Sequence, residues 1–114
     1  MLQVLAVGLG GFVGAIARYA ISSFLQQKLG RGFPFGTLAV NTIGCLAIGV
    51  ILGLVAERPS FSNSTRLFLV TGILGSLTTF STFGYETVEL FRKGETTAAA
   101  GNVAANVCLG VAAV

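Results

Sequence analysis

The residues best equipped for chemistry lie between Val70 and Glu86. Thr71, Ser76, Thr78, Thr79, Ser81, Thr82 and Tyr85 carry hydroxyls, Glu86 a carboxylate, and Gly72, Gly75 and Gly84 interrupt the run. This polar stretch sits inside a long uncharged segment of membrane-spanning length. Hydrocarbon offers broken backbone no hydrogen-bond partner, so such a run is stable at membrane depth only where it is buried in protein or lines a wet cavity. Uncharged hydroxyl and amide donors suit a small anion, because they bind it without a fixed cation that would hold it too tightly to leave. Phe80 and Phe83 are three apart and share a helical face, with Glu86 one turn further. Phenylalanines usually pack against lipid or core, but hydroxyls this dense would be wasted against lipid, and ring edges add a weakly positive rim. Carbonyls released at a helix break can coordinate a small cation.

Other chemistry is excluded by what the chain lacks. There is no histidine, and the two cysteines, Cys45 and Cys108, stand alone in apolar sequence, where they serve as small hydrophobes. Zinc, redox and nucleophilic catalysis therefore have no residue set to work with.

Of the 114 residues, 54% are hydrophobic and 10% charged, which predicts an all-α membrane protein in a single domain, residues 1–114. Four transmembrane helices are expected, over about 2–24, 37–56, 66–91 and 96–114. The first carries Gly10 and Gly14 at a spacing that lets a neighbouring helix approach closely, and contains Arg18, a snorkelling residue or the edge of a polar vestibule. With no basic residues ahead of it, this span reads as retained and not as a cleaved leader. Gly30 to Gly36 form a turn or re-entrant connection, and Thr37 opens the second span. Asn41 lies one turn after Thr37, as interhelical glue or pathway lining, and Gly49 and Gly53 mark close packing. Glu57, Arg58 and Pro59 end that helix, and Ser60 to Thr65 form a loop with candidate caps.

The third span is longer than a crossing needs, which fits an interruption at Gly72 and Gly75 with the following Ser/Thr cluster. In the last, Asn102 and Asn106 lie four apart on one stripe and seek polar partners in Asn41 and that cluster. The chain reaches Val114 without polar closing residues, fitting either a short last helix or a trimmed chain. The net charge of +3 belongs to loops and headgroups, not to nucleic acid. Lys28, Arg31, Arg92 and Lys93 fall on one side and Arg58 and Arg66 on the other, too even a split to fix one orientation. An antiparallel homodimer is therefore open to it, with a second copy supplying the symmetry that no internal repeat provides.

Gly75-Ser76-Leu77-Thr78-Thr79-Phe80-Ser81-Thr82-Phe83 followed by Glu86, Gly36-Thr37-Leu38-Ala39-Val40-Asn41, and Gly10-Gly11 through Arg18 resemble the Fluc (CrcB-type) fluoride channels. The likeness covers all four spans, with Gly75-Ser76 where family members often have Gly-Gly, and Asn102 and Asn106 where tyrosine or serine is common. It implies a dual-topology antiparallel homodimer with a broken third helix and two narrow pores. These would pass fluoride passively out of the cytoplasm across a cell membrane, bacterial by its chemistry. It further implies Phe80 and Phe83 as the pore ring pair, Asn41, Ser81 and Thr82 as polar lining, Arg18 near the vestibule, and Thr79, Asn106 and Glu86 along the same path. Gly75 and Thr78 would give backbone carbonyls to a structural sodium ion at the dimer centre.

Two rivals remain. A small dual-topology multidrug transporter shares the length and span number but usually needs a carboxylate in its first span, and here the acids near a span are Glu86 and Glu89. A structural helper that packs glycine-rich helices against a partner leaves the Thr78 to Phe83 cluster unexplained.

Overall fold

A computed structural model describes residues 1–57 and 61–114, so Arg58, Pro59 and the expected helix end there lie outside the described residues. The first helix, α1 (Leu2–Leu29), outruns the expected 2–24, because Gln26, Gln27 and Lys28 are good helix formers that remain helical beyond the apolar stretch. It stops at Gly30, whose φ of 85° suits glycine and reverses the chain. Helix α2 (Phe35–Glu57) begins just after Pro34, two residues before Thr37, so Gly36 packs inside a helix and not in the turn.

The third span is built of pieces. Ser62 caps α3 (Asn63–Arg66) by accepting from the Thr65 N–H at 3.1 Å. A π-helical stretch, π1 (Leu67–Leu74), follows, then α4 (Gly75–Leu77) and, after a break, α5 (Phe80–Arg92). Helix α6 (Thr96–Ala113) completes the chain. Four helical segments are long and apolar enough to cross a membrane, Asn63–Arg92 among them. The broken third helix is observed, but the break falls at Thr78 and Thr79, whose ψ angles of 154° and 114° are extended. Of the expected stretch, Gly72 and Gly75 are helical, and the break falls within the Ser/Thr cluster that follows them. Gly72 instead lies against Gly10, where an added Cβ would come within 2.8 Å of the Gly10 Cα. Gly10 and Gly14 of α1 likewise leave no room for a side chain against the Phe68 and Ile73 carbonyls, so the expected close approach is real and its partner is π1. Gly49 packs against Val114, whereas a Cβ added at Gly53 would meet nothing within 4 Å among the described residues.

The molecule is 50 Å long and about half as wide, 25 × 22 Å. Among the described residues the buried apolar core is small, Val40, Leu74, Leu77, Leu90 and Ala99. Large apolar side chains such as Leu5, Phe12, Ile16, Leu46 and Val111 are exposed along the helices. Water would penalise that surface by roughly 25 cal/mol per Å²; lipid does not. The chain is a multi-pass membrane protein.

Candidate functional site

The break organises everything around it. In a continuous helix the Thr79 N–H would donate to the Gly75 carbonyl and the Thr82 N–H to the Thr78 carbonyl. Here Thr79 N–H donates to Asn41 Oδ1 at 2.8 Å, and Thr82 N–H to the Thr79 hydroxyl at 3.2 Å. Both carbonyls thereby lose the donor that a helix would give them, and α5 gains an N-cap in Thr79. Asn41 also donates through Nδ2 to the Thr79 carbonyl at 3.2 Å and to Asn106 Oδ1 at 2.9 Å. It thus satisfies the extended residue on both its amide and its carbonyl, the condition for opening a helix at membrane depth. The expectation that Asn102 and Asn106 find polar partners is met: Asn106 donates to Asn102 Oδ1 and Asn102 to the Thr87 hydroxyl, each at 2.9 Å.

On one side of the break lies a groove of about 400 Å³, lined by Asn41, Gly75, Thr78, Thr79, Phe80, Phe83 and Asn106 with apolar neighbours such as Ile48 and Val107. The Phe80 and Phe83 rings meet there, centroids 5.5 Å apart and tilted by 57°. Phe80 is 82% exposed, so in one copy of the chain this ring faces outward. Gly44 permits the approach of α2: an added Cβ would strike the Thr78 methyl.

On the other side is a polar vestibule of about 440 Å³, lined by Arg18, Ser22, Ser23, Thr37, Thr79, Thr82 and Glu86. Thr79 borders both cavities. Arg18 lines this polar cavity. Glu86 Oε2 is buried without a hydrogen-bond partner among the described residues. The hydroxyls are unequally committed. Thr79 Oγ1 donates to Thr82 Oγ1 at 3.0 Å and lies 3.3 Å from the Ser81 hydroxyl, while the Thr82 proton has no acceptor among the described residues. Both Asn41 N–H donors are in use. Ser81 stands on the exposed side of α5.

A third cavity, lined by Arg31, Pro34, Glu89 and Lys93 among others, brings the α1–α2 and α5–α6 connections to the same end of the molecule, as the charge count expected. Among the described residues no cluster of three or more acidic, histidine or cysteine side chains could hold a metal, so a cation here would rely on carbonyl oxygens. Gly75 and Thr78 both line the groove, and backbone carbonyls are of the oxygen class that small hard cations take.

Residues 5–114 match the family model described as CrcB-like protein, Camphor Resistance (CrcB). The chain belongs to the CrcB family. Relatives called "Fluoride-specific ion channel FluC" include that of Rhizobium etli (strain CIAT 652), 45% identical over all of this chain and 91% of its own length. That of Chloroflexus aurantiacus (strain ATCC 29366 / DSM 635 / J-10-fl) is 44% identical over all of this chain and 90% of its own. The Clostridium perfringens (strain 13 / Type A) protein is 46% identical over 94% of this chain and 84% of its own. These CrcB relatives are ion channels by name, not enzymes.

Three residues of this CrcB chain escaped the sequence reading. Thr87 receives the Asn102 donor and passes its own proton to the Phe83 carbonyl at 2.8 Å; its place one turn beyond Phe83 was the available signal. Ser22 and Ser23 reach the vestibule from α1, one turn beyond Arg18.

Proposed function

We propose that this protein is a fluoride-selective channel that lets fluoride leave the cytoplasm passively, lowering its concentration there. The working unit is an antiparallel dual-topology homodimer of the single four-helix domain, with two pores, in a bacterial plasma membrane. The observation that carries this reading is full-length kinship with proteins named as fluoride channels. The geometry supports a mechanism. Fluoride gathers in the vestibule, attracted by Arg18, and exchanges water for the uncommitted Thr82 hydroxyl. It then passes the ring edges of Phe83 and Phe80, whose polarised C–H groups stabilise an anion without trapping it. Asn41 and Asn106 border the path while holding the break, and Glu86 lines the vestibule with Arg18.

Gly75 and Thr78 would hold a sodium ion through their freed carbonyls. One copy offers only this pair, so a second copy facing it completes the site and covers Phe80. The bound ion would supply a fixed positive charge at the centre of the dimer.

Purified protein reconstituted in liposomes tests the reading with a fluoride-selective electrode. Fast fluoride efflux, little chloride efflux and no need for a proton gradient are expected. No flux of either ion from well-folded dimer would reject it, and proton-coupled exchange of a cationic drug would instead establish the transporter.

A further inference from the structure

We infer that Asn102 and Thr87 are positioning residues, the far links of a one-way hydrogen-bond relay that fixes the first turns of α5 and so the settings of Phe80 and Phe83. The relay starts at the Thr79 N–H, which donates to Asn41 Oδ1 at 2.8 Å. Asn41 Nδ2 donates to Asn106 Oδ1, and Asn106 Nδ2 to Asn102 Oδ1, each at 2.9 Å. Asn102 Nδ2 donates to Thr87 Oγ1 at 2.9 Å, and Thr87 Oγ1 to the Phe83 carbonyl at 2.8 Å. Every amide accepts through oxygen and donates through nitrogen, so the dipoles run head to tail and each bond polarises the next.

Both ends of this relay return to one element. It leaves the chain just before α5 begins, crosses α2 and α6, and comes back within α5 at Phe83. The ring pair lies on the backbone between those anchors. Asn102 has no exposed surface, so it does not touch a permeating ion and acts through its neighbours. The relay also fixes amide orientation. A flipped Asn41 would set its Nδ2 donor against the Thr79 N–H donor, and Asn106 opposes the flip by accepting only from a nitrogen. Removing the Thr87 hydroxyl leaves the buried Asn102 Nδ2 without its side-chain acceptor and loosens the orientation of each amide upstream.

The effect on the rings rests on the channel reading; the relay itself does not. In full-length protein, Thr87→Val keeps shape and deletes the hydroxyl, whereas Thr87→Ser keeps the hydroxyl. Thr87→Val is expected to cut fluoride efflux ~10-fold, the order set by one orphaned buried donor, with dimer elution unchanged and with Thr87→Ser close to wild type. The side-chain amide resonance of Asn41, two amides away, is expected to shift in Thr87→Val and not in Thr87→Ser. An unmoved Asn41 resonance, or a Thr87→Ser channel as impaired as Thr87→Val, overturns the relay. If wild-type protein passes no fluoride, the channel reading fails while the Asn41 resonance still decides the relay. Should Thr87→Val not fold, hydrogen exchange in wild-type protein decides. Asn41, Asn106 and Asn102 side-chain amides exchanging at one common rate support a linked relay, and three independent rates overturn it.

Discussion

At the scale of single residues, the polar side chains near the break divide by whether their donors are already spent. Asn41 uses both N–H groups and its oxygen within the protein, so its first duty is structural. Asn41→Leu is expected to lower thermal stability by about 2 kcal/mol or more, since it orphans the Thr79 amide and carbonyl, and to lose fluoride flux with it, as read by melting and efflux side by side. Thr82 differs because its proton has no acceptor among the described residues. Thr82→Val should reduce efflux several-fold while the melting temperature moves little, and equal losses in both would return Thr82 to a capping role. Phe80→Ile and Phe83→Ile remove ring edges at similar bulk. Each should cut fluoride efflux with the dimer intact, and unchanged efflux would remove the rings from the path.

Among elements, the contact that holds the broken span is π1 against α1. Gly10 and Gly14 lie under the Phe68 and Ile73 carbonyls, and Gly72 lies on Gly10. A π-helix widens the turn, and such segments tend to occur at functional sites; here π1 precedes the break, with the short α4 between them. Gly14→Val is expected to cost roughly 1–3 kcal/mol by overpacking, read as a lower melting temperature. Gly53→Ala, with nothing among the described residues to strike, should be neutral or slightly stabilising by helix propensity.

For the whole molecule, the buried core is small and Phe80 stands exposed, which is the surface the proposed dimer would cover. With a second copy over the groove, the Gly75 and Thr78 carbonyls would be joined by their counterparts. Replacing sodium with a bulky organic cation during purification is therefore expected to shift the elution profile from dimer towards monomer, with sodium restoring it. A dimer indifferent to sodium would remove the ion from the interface.

The sequence by itself determined the solvent, the span number and the cluster. Uncharged runs of about twenty residues read as spans because their length matches a bilayer, and the Thr78 to Phe83 hydroxyls stand out because lipid penalises them. Helix periodicity put Asn102 and Asn106 on one stripe and Phe80 beside Phe83 before any fold was known. Only the tertiary structure decided where the helix opens. Glycine propensity and the hydroxyl cluster pointed to the stretch from Gly72 onward, but within it the helix opens where another element satisfies the freed backbone, and Asn41 of α2 does so at Thr79, 38 positions away. The glycines serve instead where backbones must touch, a demand set by α1. Thr87 escaped notice for the same reason: its importance comes from Asn102, a partner that folding brings to it from 15 positions away.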